Sequence, residues 1–467
     1  MRLTMDEILD SSLAQMAHAI THKTVSSKQL VTGFLDRIER VNPRLNALVY
    51  SNAENALKLA DKSDAELAAG NLHGPLHGIP MTIKDSLDTK DVVTTWGTMG
   101  RKDFRPGRDA TCVARLRNAG GILLGKTNTP EFTLAFKTDN LVYGRTNNPY
   151  DLTRTPGGSS GGAAALIAAG ATPFDIGTDT GGSIRLPSHF CGIAGIKPTT
   201  GRVPCTGNAL PTSGLLAPLS QPGPMARQVA DLEYLLNIIQ GPDLFDPHGV
   251  DAKHYASNAI DVQQLRIGFH TDNGIKTPTA AIISAIKNAL ALLEDNDFNL
   301  REARPSGLEM ASFIYARLFG ADGGDTLDLL LEDSRTVAAS PQIADSLSQP
   351  RTAIDQSEFN HTINLWDNYR SSMLSYFEDF DVLICPVNAE TAIGHGVEEN
   401  MLAYSYTLAY NLTGWPGIVI RCGSDESGLP VGLQIIARPF REDHCFALAG
   451  WLESAMMSSF GRFPQPI

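Results

Sequence analysis

The sequence predicts an α/β protein, on three observations. A helical period runs straight into a short apolar strand near residue 120, a second strand stands near residue 384, and amphipathic helices flank both. In chain order, Ser26-x-x-Gln29 forms a capping box, and Leu30, Phe34 and Ile38 follow at i, i+4 and i+8, so a helix is expected over 26–41, ending before Pro43. ThrCysValAlaArgLeuArgAsn then reads as a helix that stops at Gly120-Gly121, and the IleLeuLeu after it reads as a buried strand. Glycine is dense over 157–207 while charges are few, which suggests backbone packed tightly inside the protein. The stretch 241–262 is polar and irregular, 279–294 is a periodic helix through Ile282, Ile286, Ala289, Leu290 and Leu293, and 305–378 is mostly helical. AspValLeuIleCysPro at 381–386 is a strand running into a turn.

Composition excludes several classes of function. With 42% hydrophobic and 19% charged residues the chain carries too much apolar surface to stay disordered. Lys and Arg number 38 against 51 Asp and Glu, a net charge of −13 that repels phosphate backbones and anionic lipid; neither nucleic acid nor a membrane surface is expected as a partner. Cys112, Cys191, Cys205, Cys385, Cys422 and Cys445 form no Cys-x-x-Cys pair, which argues against a zinc or redox site and fits a reducing cytoplasm. The first twenty residues lack a basic flank leading into an apolar core, so no secretory signal is expected. Uncharged runs at 155–174, 203–226 and 400–420 are broken by Gly and Pro and are not read as membrane spans.

Four short motifs lose their usual meaning in context. Gly120-x4-Gly125-Lys126-Thr127 matches a phosphate-binding loop, yet a helix precedes it and an apolar strand fills its variable positions, the reverse of what phosphate binding needs. Gly157-Gly158-Ser159-Ser160-Gly161 fits the Gly-x-Ser-x-Gly elbow but lacks the strand that should lead into it. Ser284-x-x-Lys287 falls in a periodic helix and reads as surface patterning. Gly74-Pro75 separates His73 from His77 and no further ligand clusters nearby, which favours a loop over a metal site.

A set of longer stretches is more specific. GlyGlySerSerGlyGly at 157–162, AspThrGlyGlySerIleArgLeuPro at 179–187 and CysGlyIleAlaGlyIleLysProThr at 191–199 resemble the amidase signature family, and HisGlyIleProMetThrIleLysAsp at 77–85 resembles its lysine motif. GlyLysThrAsnThrProGluPhe (125–132), GlyArgThrAsnAsnPro (144–149), AsnLeuThrGlyTrpPro (411–416) and GlyLeuProValGlyLeuGln (428–434) extend the resemblance, leaving only about 240–380 weakly matched. The resemblance implies one large α/β domain with a mixed central sheet covered by helices on both faces: a helical layer over 1–60, the catalytic core over 70–230, a variable region over 240–380 and a return to the core over 381–460.

It also implies a catalytic triad of Lys84, Ser159 and Ser183, with a cis peptide before Ser159. A lysine serves as a base only if burial lowers its pKa from about 10.4, and Ile79, Pro80, Met81 and Ile83 suit a desolvated setting; the plain alternative is a surface pair with Asp85. Ser159 would pass a proton from Ser183 to Lys84, since a hydroxyl both donates and accepts. The backbone N–H groups of Thr180, Gly181, Gly182 and Ser183 would hold the oxyanion, and Gly157, Gly158 and Ser160 would shape the loop. Asp179 and Arg185 either brace that loop or form a solvent-facing ion pair. Thr133, Phe136 and Tyr143 are expected to line the substrate pocket, or else to be core. No metal or organic cofactor is implied. The expected activity is amide hydrolysis through an acyl-enzyme by a monomer or homodimer; the alternative is the A-type subunit of a glutamine-dependent, tRNA-linked amidotransferase, whose arginine-rich helical stretch 330–350 does not resemble.

Overall fold

Two sheets of unequal size carry the chain in the computed structural model, which describes residues 4–349, 351–461, 463 and 466. The smaller has β1 (Leu48–Ser51), β2 (Pro80–Lys84) and β3 (Ile122–Thr127) in the order β1-β3-β2; β2 runs parallel to β3 and β1 antiparallel to it. The larger sheet contains β4 (Phe174–Asp179), β5 (Ala194–Lys197), β6 (Gln221–Ala226), β7 (Ile267–Phe269), β8 (Leu300–Glu302), β9 (Val382–Pro386), β10 (Gly417–Ser424) and β11 (Pro430–Ala437). Its order is β4-β6-β5-β10-β11-β9-β7-β8, antiparallel from β4 to β9 and parallel across β9, β7 and β8, so the sheet is mixed as expected. Helices Val229–Ile239, Ala280–Glu294 and Glu442–Phe460 pack together on one face; the short helices Gly161–Ala168 and Arg185–Cys191 form a second layer. One apolar core joins Ile8 at the start of the chain to Met456 near its end.

The structure adjusts several local readings. The first long helix spans Ser27–Leu45 and holds Pro43 inside its last turn. Proline there removes a donor to the Glu39 carbonyl, which sits on an exposed residue within reach of water, and the helix closes on Asn46 in the left-handed conformation. The N-terminal helical layer also contains β1, four residues too short to show a period. The phosphate-loop lookalike is the junction of helix Thr111–Asn118 with β3. Ser284 and Lys287 are exposed on their helix. His77 is buried with its Nε2 3.1 Å from the Ser63 carbonyl, and His73 pairs with Glu66. Among the described residues all six cysteines are buried and free, and no helix is long and apolar enough to cross a membrane.

Candidate active site

The two sheets meet where β2 ends and β4 runs alongside it, and the signature residues converge there. Lys84 is the last residue of β2, and Thr178 and Asp179 close β4. Ser159 and Ser160 precede the helix Gly161–Ala168, all eight residues of which are buried. Its small side chains admit that burial: a Cβ on Gly162 would lie 2.9 Å from the Ala47 carbonyl oxygen. The Gly158–Ser159 peptide is cis, and a Cβ on Gly158 would stand 2.8 Å from the backbone of Phe136 and Lys137, so only glycine fits between the serine loop and the chain beside it.

Lys84 is fully buried, and its Nζ donates to Ser159 Oγ (2.6 Å), Ser160 Oγ (2.9 Å) and Thr178 Oγ1 (2.8 Å). All these partners are neutral oxygens. Burial pulls the ammonium well below the ordinary lysine range, against the opposing charges of Asp179 and then Asp175. The surface pair with Asp85 does not form: Asp85 is buried, accepts from the backbone N–H of Thr95 at 3.1 Å and from the Thr95 hydroxyl, and is pushed up to about 6 by burial.

Ser183 is 6% exposed, and among the described residues its hydroxyl makes no hydrogen bond; its carbonyl accepts from the Ser160 N–H at 3.1 Å, which ties the two serine loops together. Asp179 and Arg185 settle one open alternative, because both side chains are completely buried. Arg185 Nε and Nη2 each donate to the carboxylate at 3.0 Å, and the N–H groups of Gly182 and Ile184 donate to it at 2.8 and 3.1 Å. Burial alone would raise Asp179, but Arg185 and Asn411 hold it below the usual carboxylate range. The Gly182 N–H is therefore already taken by Asp179, so it is not free to serve as one of the four oxyanion donors expected at Thr180, Gly181, Gly182 and Ser183. A Cβ on Gly182, at φ 129°, would also meet Thr407 Cβ at 2.7 Å.

Of the three residues expected to line a pocket, one reaches the site. Phe136 stacks on Tyr404 with ring centroids 3.9 Å apart, and its Cζ lies 3.3 Å from where a Gly181 Cβ would stand. Tyr315 Oη and Leu408 Cδ2 each lie 3.1 Å from that same point, and the Tyr315 hydroxyl donates to the Thr180 carbonyl at 3.3 Å. Thr133 is buried in a tight turn, its N–H on the Pro130 carbonyl, and Tyr143 turns its ring to Thr95, with burial pushing its phenol up. Neither joins the wall at Gly181. Along the same helix as Tyr315, Leu318 and Phe319 border a cavity of about 620 Å³ lined by Leu134, Leu216, Leu327 and Leu330.

Several contributing residues escape a reading of the sequence alone. Thr178 touches Lys84 directly, and Asn411 and Gln434 hold Arg185 through contacts of 2.6 and 3.3 Å. Asn411 opens the stretch 411–416 and Gln434 closes the stretch 428–434, so a signal is present in the sequence while its target is not. Tyr315 lies in the weakly matched region, where no signal marks it.

Comparison with known proteins identifies the family. The family model described as Amidase matches residues 29–446. The A-type subunit of glutamyl-tRNA(Gln) amidotransferase from Roseiflexus sp. (strain RS-1) is 34% identical over 461 residues, covering 92% of this chain and 93% of the relative. Acylamidase of Rhodococcus erythropolis is 32% identical over 448 residues, covering 92% of each. The solved structure of 6-aminohexanoate cyclic dimer hydrolase complexed with substrate superposes with a TM-score of 0.85 at 25% identity, over 98% of this chain and 99% of that one. The chain belongs to the amidase signature family of hydrolases acting on amide C–N bonds.

Proposed function

We propose that this chain is a self-sufficient amide hydrolase in which Ser183 attacks the carbonyl carbon, Ser159 relays the proton and Lys84 receives it. The observation that carries the reading is the buried Lys84 amine, 2.6 Å from Ser159 and ringed by hydroxyls, with its ammonium form disfavoured by burial. As the Ser183 Oγ–C bond forms, its proton passes to Ser159, whose own proton passes to Lys84. The oxyanion is held by N–H groups of Thr180, Gly181 and Ser183. Lys84 then protonates the leaving nitrogen, the C–N bond breaks, and water cleaves the resulting ester by the same route in reverse. Phe136, Tyr315 and Leu408, gathered at Gly181, suit an apolar group on the substrate. The relative named acylamidase supports this reading.

A second reading, a subunit that releases ammonia from glutamine for a partner, is favoured by the 34% identity to an amidotransferase A-type subunit. One experiment separates the two. The purified chain is offered glutamine, a short aryl amide, a fatty acyl amide and a peptide amide, with Ser183→Ala and Lys84→Ala alongside and the native mass measured. The expected result is hydrolysis of an aryl or acyl amide by the chain alone, at least about a thousandfold faster than by either variant. Activity confined to glutamine would transfer the conclusion to the second reading; undiminished activity in Ser183→Ala would overturn the mechanism.

A further inference from the structure

The proton that Lys84 accepts creates a cation in a fully buried place whose immediate partners are neutral oxygens. Such a charge is costly unless a carboxylate stands close enough to offset it. Two carboxylates act on Lys84, Asp179 and Asp175, both on β4 and both fully buried. Asp179 is fully engaged, by the Arg185 guanidinium, the Asn411 amide and the N–H groups of the oxyanion loop. Asp175 differs. Its Oδ2 accepts from Thr82 Oγ1 at 2.7 Å and Thr127 Oγ1 at 2.9 Å, and its Oδ1 is buried without a hydrogen-bond partner. Both hydroxyls come from the strands that present the lysine: Thr82 is two residues before Lys84 on β2, the same-face spacing of a strand, and Thr127 is paired with Lys84 across β3.

The remaining charges around Lys84 largely offset one another. Asp85 follows it and lies opposite Lys126 of β3; Arg185, from the helix after the oxyanion loop, neutralises Asp179; Lys197 of β5 sits near Arg185 and Asp179, with burial pulling it down to about 7. Asp175 also feels the charge of Lys126 and the backbone N–H of Lys84, but among the described residues its side-chain hydrogen bonds come from the Thr82 and Thr127 hydroxyls and it has no guanidinium of its own.

We propose that Asp175 is a positioning residue that supplies the counter-charge for Lys84 while Lys84 holds the proton taken from Ser183. The inference rests on the catalytic reading above. Burial raises Asp175 to about 6, which leaves it ionised at neutral pH and above. The sign of its effect follows. Reaction requires neutral Lys84 in the resting enzyme, so the rate climbs with pH as Lys84 loses its proton. Neutralising Asp175 makes the ammonium less stable, which moves that climb to lower pH and also lowers the plateau, because the proton-bearing state loses its partner. A merely structural lesion would lower the plateau and leave the climb in place.

The test measures the rate at which a fluorophosphonate labels Ser183 between pH 5 and 10, in the full chain and in Asp175→Asn. Labelling uses the same serine and proton route and needs no knowledge of the natural amide. Asp175→Asn is expected to shift the climb down by about one pH unit and to slow the plateau about tenfold. Thr82→Val, which removes the 2.7 Å hydrogen bond and keeps the charge, should shift it the same way by less, and serves if Asp175→Asn does not fold. Climbs that coincide with the unmodified chain in both variants would overturn the role of Asp175 while leaving the triad intact. Absence of Ser183 labelling in the unmodified chain would overturn the catalytic reading, and this inference with it.

Discussion

The signature core and the middle region meet at Gly181 but are built by different physics. In the core, Lys84, Ser159, Ser160, Asp179 and Arg185 are all completely buried, and a dense set of hydrogen bonds holds them in place. The helices Ala311–Phe319, Asp325–Asp333 and Pro341–Ser348 contribute apolar contacts through Leu330 and Ile343, leave Phe313, Phe319 and Leu329 exposed, and enclose much of the 620 Å³ cavity. Directional bonds in a dry interior fix positions and punish any lost partner; apolar packing tolerates substitution at a smaller cost. The core is thus fixed by directional bonds, and the middle region is held by apolar packing around a cavity.

That contrast can be broken or sharpened by substitutions on each side. The largest effect is expected for Arg185→Met, which leaves Asp179 buried without its cation and should cost about 3 to 5 kcal/mol of stability in denaturant unfolding. The matched change Arg351→Met, at a half-exposed pair with Asp328, should cost less than about 1 kcal/mol; equal losses would dissolve the distinction. Gly182→Ala comes next. The new methyl meets Thr407 in a backbone conformation that disfavours side chains, so kcat is expected to fall about a hundredfold, a loss comparable to that of one oxyanion donor. Phe136→Ala should leave the fold intact and change the ratio of kcat/KM between a bulky and a small amide about tenfold. Tyr315→Phe, which removes only the 3.3 Å hydrogen bond to Thr180, should alter kcat/KM less than about threefold; a larger loss would place Tyr315 within the catalytic arrangement.

The same contrast governs what can be read from sequence. Dense glycine over 157–207 announces tightly packed backbone, and the structure shows why at Gly158 and Gly162, where no side chain fits. Lys84 is legible only through the resemblance, since its own neighbourhood reads equally well as a surface pair with Asp85; burial is a property of the whole fold. Pro43 misleads because proline marks a helix end in isolation, whereas here one more turn survives on tertiary packing. Phe136 stands out in the sequence, but its partners Tyr315 and Leu408 lie far along the chain and share no spacing rule with it. Apolar walls assembled from distant segments leave no local pattern, while hydrogen-bonded loops do.

The guanidinium of Arg185 draws on residues from far along the chain, Asn411 and Gln434. During synthesis the serine loops leave the ribosome long before these partners exist, and Arg185 then has Asp179 as its only recruit from its own neighbourhood. The loop from Asp179 to Arg185 acquires its full bracing once residue 434 has been made and β11 has joined the sheet. A chain that stops before residue 411 therefore keeps Lys84, Ser159 and Ser183 yet lacks the two distant partners that brace Arg185.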